Sequence, residues 1–257
     1  MIDGLTTMTV AVADHVATVT LDRPPVNAQN PAFRHDIQRV FDTLHDMPDV
    51  RAIILTGAGK TFSAGADLKA RPGSEPGAYP AHNRLVRAAF DCVMECDKPV
   101  IAAVNGAAIG AGCVLALCAD IILVSENAFL SMTEVDVGLA GGVRHVMRHF
   151  GQSDARLMIY TARRITGPEL LRMNVASACL APDALLPEAR KIAAEIAAKV
   201  PLAVRAAKRG FGLTEDLPLA QGYRYEQSNT VALAQTEDFA EAQAAFAEKR
   251  RGNFKGR

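Results

Sequence analysis

Two segments of small residues carry the first chemical signal: FSAGADL at 62–68 and NGAAIGAGC at 105–113. Each follows an apolar run, VRAIILTG from residue 50 and VIAAVNG from residue 100, that reads as a buried strand. Small side chains let a ligand come close to the main chain, where N–H groups can be aimed at an oxygen atom. Two such donors from separate loops make an oxyanion hole, which stabilises negative charge growing on a carbonyl oxygen. The helix that opens near Gly112 adds its positive end to the second loop. Downstream lies Glu134, in SMTEVDVGL, between an apolar stretch and a turn. Taken alone, a Glu after a strand reads as a surface charge or a helix cap.

The second segment has a rival reading. Gly106, Gly110 and Gly112 also resemble the strand–turn–helix that holds a dinucleotide in NAD(P)-dependent short-chain reductases. Against it, the turn lies far from the first strand, and Tyr160 is followed by Arg164 where a Tyr-x-x-x-Lys pair would be needed.

The elements that position these loops follow from pattern. MTVAVADHVATVTL, from residue 8 to 21, alternates on either side of Asp14-His15 and predicts a β-hairpin. Asn30 and Pro31 mark the cap and first turn of a helix running to about Leu44. Residues 57–80 read as a loop, with a helix from about Ala81 to Cys96 after it. Strand, helix GCVLALCAD and strand IILVS then give a β–α–β rhythm and an α/β core of mostly parallel strands. From Gly142 onward the spacing predicts helices at 142–150, 153–160, 167–173, 183–199 and 201–210, then a long helical stretch over 216–250. TGPEL at 166–170 is a capped helix start.

Composition removes several classes. The 257 residues hold 28 basic and 28 acidic side chains, so no basic surplus marks a nucleic-acid or anionic-membrane surface. The 5 cysteines form no CxxC pair and the 6 histidines show no ligand spacing, so no metal is expected and the thiols read as reduced. The N-terminal residues lack a signal-peptide pattern, and the apolar run over 99–124 is broken by Asn105, Gly106 and Asp120, which predicts a cytoplasmic protein.

FSAGADLK, KPVIAAVNGAAIGAG, CAD before a strand, TEVDVGL and the ending AFAEKRRGNF together resemble the enoyl-CoA hydratase/isomerase (crotonase) family, from about residue 8 to 254. The resemblance implies an α/β spiral of ββα turns over about 1–200, with a helical region over 201–257 that mediates trimers or hexamers. It implies an acyl-CoA substrate, with coenzyme A arriving as part of that substrate and no separate cofactor. By motif position the oxyanion-hole amides fall on Ala64 and Ala111, where a backbone N–H suffices although glycine is usual at the second. Val26, Ala28, Ala66, Asp67, Leu68, Gly110 and Gly112 match segments that line CoA, and Lys249 is placed to meet its phosphates.

Hydratases of this family use two carboxylates, and a third position serves dienoyl isomerases. Here the three positions hold Val114, Glu134 and Gly142. Syn hydration needs one group to orient water and another to deliver a proton, whereas one carboxylate can move a double bond. The expected activity is therefore isomerisation of an enoyl-CoA by Glu134, with Asp136 ranked second as acid. Hydratase, hydrolase or decarboxylase chemistry and a catalytically degenerate CoA-binding protein are the alternatives. Arg144 and His145 read as exposed helix residues, while Tyr79 and His82 border the loop before the second helix as possible replacement acids.

Overall fold

Alternation of apolar and polar residues builds the first two strands. β1 (Met8–Ala13) and β2 (Val16–Leu21) pair antiparallel, and Asp14 and His15 both take positive φ between them, at 49° and 64°. Two consecutive left-handed residues match the twist of a tight hairpin. The computed structural model describes residues 2–257. α1 (Pro31–Asp46) follows, capped by Asn30, whose side chain accepts the Phe33 N–H at 2.9 Å.

The chain then repeats one unit three times: a long strand, a short strand and a helix. The units are β3 (Ala52–Gly57), β4 (Thr61–Ser63) and α2 (Ala78–Met94); β5 (Val100–Val104), β6 (Ala107–Ile109) and α3 (Ala111–Leu117); β7 (Ile121–Ser125), β8 (Phe129–Ser131) and α4 (Val143–Met147). Long strands pair in parallel with long ones, and short strands with short ones. Two sheets therefore grow side by side as the chain winds, which is the expected spiral. The rest of the chain comprises α5 (Gln152–Thr161), β9 (Ile165–Thr166), α6 (Gly167–Arg172), β10 (Ala178–Leu180) and α7 (Leu185–Ala197), then α8 (Pro201–Thr214), α9 (Leu219–Leu233) and α10 (Glu237–Ala247). Thr166 and Glu169 form a reciprocal capping box at the start of α6.

The long parallel strands are covered on both faces, as their continuous apolar sequence demands. In β3, Ile53 and Leu55 join the main core with α1 and α3, while Ala52 and Ile54 face Leu185, Ala189 and Ala193 of α7. The side chains of α8 reach back to the core at one place. Asp97 receives Arg205 and Arg209, and Lys208 Nζ donates to the Lys98 carbonyl at 2.9 Å and to Asp120 at 2.8 Å. The last three helices expose large apolar residues, among them Phe211, Leu219 and Phe246.

Three expectations change. The segments at 57–80 and 105–111 are not plain loops, because each contains a three-residue strand of the second sheet. The dinucleotide-turn reading fails for the same reason: β6 intervenes between β5 and α3, so the glycines do not join strand directly to helix. The stretch over 216–250 is two helices, broken at 234–236. Among the described residues no helix is long and apolar enough to cross a membrane.

Candidate active site

Backbone hydrogen bonds decide which amides of the first loop are free. The Ala64 N–H donates to the Val26 carbonyl at 3.0 Å, Gly65 N–H to Ser63 Oγ at 3.3 Å, and Asp67 N–H to the Gln29 carbonyl at 3.0 Å. Gln29 N–H in turn donates to the Gly65 carbonyl at 2.7 Å, so Ala66 forms a parallel bridge with Gln29. In that pairing the flanking residues bond to Gln29 and the Ala66 N–H faces the other way. It has no hydrogen-bond acceptor among the described residues, and Ala66 is exposed. The donor expected at Ala64 is therefore corrected: that amide is already bonded, and the free one lies at Ala66.

The second loop meets the first main chain to main chain. Gly110 takes φ 53° and ψ −119°, a conformation that favours glycine, and its N–H is held by the Ser131 carbonyl at 2.8 Å. Ala111 is the first residue of α3, so its N–H has no acceptor within the helix. A methyl group added at Gly65 would overlap the Ile109 carbonyl and lie 3.2 Å from the Ala111 nitrogen. Gly112 packs as closely on the Ser63 carbonyl, which makes it a packing residue. Gln29 ties the loops together, its Nε2 donating to the Ala111 carbonyl at 3.1 Å and lying 3.4 Å from Ser63 Oγ.

Glu134 closes the site. It opens a short 3₁₀ turn over residues 134–137, and a methyl added at Gly110 would lie 2.8 Å from its Oε1. Its Oε2 is buried with no hydrogen-bond partner among the described residues. Burial pushes the carboxyl pKa above its ordinary range, opposed only by its own backbone N–H. The other two acid positions are apolar and touch each other. Val114 is buried, and a methyl at Gly142 would lie 2.8 Å from Val114 Cγ2 and overlap Met132 Cε. The wall beside Glu134 thus has no room for a side chain at Gly142 without rearrangement, and an apolar valine fills the remaining acid position. Cys113, buried behind it, has its thiol pKa raised by burial and then by Glu134.

The remaining sequence candidates sort by their contacts. Asp67 accepts from Arg23 Nη2 at 2.8 Å and caps Lys69 N–H at 3.0 Å, so its carboxylate clamps the loop. The carbonyls of Val26 and Ala28 hold Ala64 and Arg23, whereas the Leu68 side chain projects outward, 60% exposed. Lys249 sits beyond α10, in a C-terminal segment held by Arg51 and Asp238. Asp136 is exposed without an ion pair among the described residues, and Arg144 pairs with Asp216 at 3.0 Å. His145 packs edge-on against Phe90, and His82 Nδ1 faces the buried Arg34 at 3.3 Å. Sequence reasoning missed Gln29, Ser63 and Asn27. Asn27 was legible only as a polar residue in a loop; its Nδ2 binds the carbonyls of Ala58, Thr61 and Phe62.

An oxyanion-type pair of loops between ββα turns defines the class, and the chain belongs to the enoyl-CoA hydratase/isomerase family, whose model matches residues 12–257. Among curated relatives, carnitinyl-CoA dehydratases of Citrobacter koseri and Salmonella typhimurium are each 35% identical, over 94% of this chain and 95% of theirs. Among solved structures, the enoyl-CoA hydratase of Bacillus anthracis superposes with a TM-score of 0.93 at 32% identity, covering 98% of this chain and all of that one. An enoyl-CoA hydratase/carnitine racemase of Magnetospirillum magneticum gives 0.91 at 27% identity, covering 99% of this chain and 97% of its own. The chain is an enzyme of the crotonase superfamily.

Proposed function

We propose that this enzyme transfers a single proton on an acyl-CoA thioester, with the Ala66 and Ala111 amides holding the thioester oxygen and Glu134 carrying the proton. The observation that supports it is the buried, unpartnered Oε2 of Glu134, set beside the Gly110–Ala111 turn with no second acid in the wall. When Glu134 takes a proton from the α-carbon, the electron pair moves onto the thioester oxygen, and the two N–H donors stabilise that charge where it develops.

For a 3-enoyl-CoA the intermediate is a dienolate. Protonated Glu134 returns the proton to the γ-carbon, and the double bond moves into conjugation with the thioester. One carboxylate is enough, as this pocket provides. A second reading is favoured by the relatives named carnitinyl-CoA dehydratase. From a 3-hydroxyacyl-CoA, Glu134 would take the α-proton and pass it to the departing β-hydroxyl on the same face, releasing water. With Val114 where a water-orienting acid would stand, that route lacks a group typically worth ~10²–10⁴ in rate.

Matched 3-enoyl-CoA and 3-hydroxyacyl-CoA substrates, assayed side by side for appearance of the 2-enoyl product, test the choice. Faster turnover of the 3-enoyl substrate supports isomerisation; faster turnover of the hydroxyacyl substrate replaces it with dehydration. The exposed apolar residues of α8–α10 support assembly into a homotrimer or homohexamer, and in this reading Lys249 meets a CoA phosphate in the assembled form. Light scattering should return three or six times the 27.4 kDa chain mass; a monomer would contradict the assembly.

A further inference from the structure

The proposed thioester site lies beyond the C-terminal ends of β3 and β5. A second, separate cavity opens at their N-terminal ends. Arg51 immediately precedes β3 and Lys98 stands two residues before β5, and the strands pair in parallel with Ile53 opposite Val100. At roughly 3.3 Å per residue, five strand residues put the two sites about 17 Å apart.

This cavity has a volume of about 70 Å³, and its polar lining carries one sign of charge. Arg51, Lys98, Arg205 and Lys255 line it, with no acidic residue in the wall. A water molecule needs about 10–15 Å³ on the same measure, so the space suits a group of a few heavy atoms and is too small to enclose a whole nucleotide.

Lys98 is the unusual member. Its side-chain stem is buried and the residue is 4% exposed, while its ammonium keeps contact with solvent and has no hydrogen bond or ion pair among the described residues. Its backbone carbonyl, by contrast, is taken by Lys208. Burial lowers its pKa, as does the neighbouring charge of Arg205, while Asp97 and Asp46 oppose this. Asp97 is itself committed to Arg205 and Arg209. The cavity also receives the first turn of α8. Pro201 has no N–H, no side chain caps the turn, and the first bonded amide is that of Val204. The amides of Leu202 and Ala203 are left without acceptors among the described residues. From the other side, Arg51 donates to the Ala197 and Phe254 carbonyls, bringing the C-terminal segment and Lys255 to the rim.

We infer that this cavity binds a small tetrahedral oxyanion, a phosphate or the head of a phosphate monoester, held by Lys98, Lys255 and the open first turn of α8. Such an anion would link the starts of two core strands, α8 and the C-terminal segment, so its binding would stabilise the attachment of the helical region.

The test is thermal unfolding of the full chain in inorganic phosphate, against sodium chloride of equal ionic strength. A saturable rise in Tm of several degrees is expected in phosphate alone. Lys98→Met should abolish it. Because that residue is buried, Lys255→Met at the rim serves as a second variant and should reduce the rise by at least half. A parallel titration with glycerol phosphate separates the sources: a rise of equal size means the pocket takes a monoester head, and a smaller one means free phosphate is preferred. No phosphate-specific rise in the wild type, or an undiminished rise in both variants, would overturn the assignment. So would a rise that survives Lys98→Met but disappears in Lys69→Met, which would put the anion beside the thioester groove.

Discussion

Glu134 and Asp97 are two carboxylates withdrawn from water and treated in opposite ways. Asp97 is 3% exposed and collects Arg205, Arg209 and, at 3.7 Å, His45. Burial alone would push its pKa up, but the hydrogen bonds from Arg209 and Arg205 outweigh it and hold the carboxyl at about 2. Glu134 has no cation beside it, one oxygen without a partner, and a pKa pushed up. In the proposed mechanism, the difference separates a carboxylate that serves stability from one that serves reactivity. A carboxylate saturated with donors fastens a helix to the core and is a poor base. One stripped of donors costs stability and is ready to take a proton.

The largest effect on this contrast comes from breaking the fastened side. Asp97→Asn removes the counter-charge of two part-exposed guanidinium groups and should cost about 2–3 kcal/mol in urea unfolding, the linkage value of a carboxyl held at about 2 against ~3.9 when unfolded. Activity per folded molecule should survive. The pH dependence carries the same distinction. Asp97 has a folded-state pKa below its unfolded value, so its contribution is present above pH ~3.9 and is lost as the pH falls toward 2. Glu134 runs the other way. Its penalty is absent below its unfolded value of ~4.3 and grows as the pH rises through its elevated folded value. Unfolding measured across the acid range should therefore show a shallower acid loss in Asp97→Asn, and turnover should rise with pH as Glu134 ionises.

A smaller effect follows from crowding the reactive side. Gly110→Ala places a methyl 2.8 Å from Glu134 Oε1 at a φ of 53°. The backbone strain should cost of order 1–3 kcal/mol. Displacement of the carboxylate should lower kcat more than it raises KM, read from steady-state kinetics with an enoyl-CoA. The smallest and most instructive change supplies the missing acid. Val114→Glu should raise hydration of crotonyl-CoA in a folded variant that still binds CoA; unchanged hydration would mean that Gly142 and Met132 leave no room for a placed water.

The frame that carries this contrast was legible in the sequence, and the contrast itself was not. The apolar runs of β3, β5 and β7 announce themselves because strands buried on both faces need no alternation. The short strands β4, β6 and β8 were hidden, since three residues are too few to show a period of two. Glu134 was legible by its position in a motif, but its isolation depends on Val114 and Gly142 packing together. The exchange of Ala64 for Ala66 has the same origin: which amide stays free is set by bonds from Val26 and Gln29, long-range contacts that local spacing does not encode. Nor does the sequence bring Asp97 to Arg205 and Arg209, which only the docking of α8 places together.

The central claim is that Glu134 alone moves the proton. Its most direct test is the exchange of the α-proton of a bound saturated acyl-CoA with deuterated solvent, followed by NMR, in the wild type and in Glu134→Gln. The variant should bind the thioester with little change in Kd and be no less stable, because it removes a buried charge, while exchange falls by ~10²–10⁴. Exchange at the wild-type rate in a folded, CoA-binding Glu134→Gln would contradict the account and move the base elsewhere in the pocket.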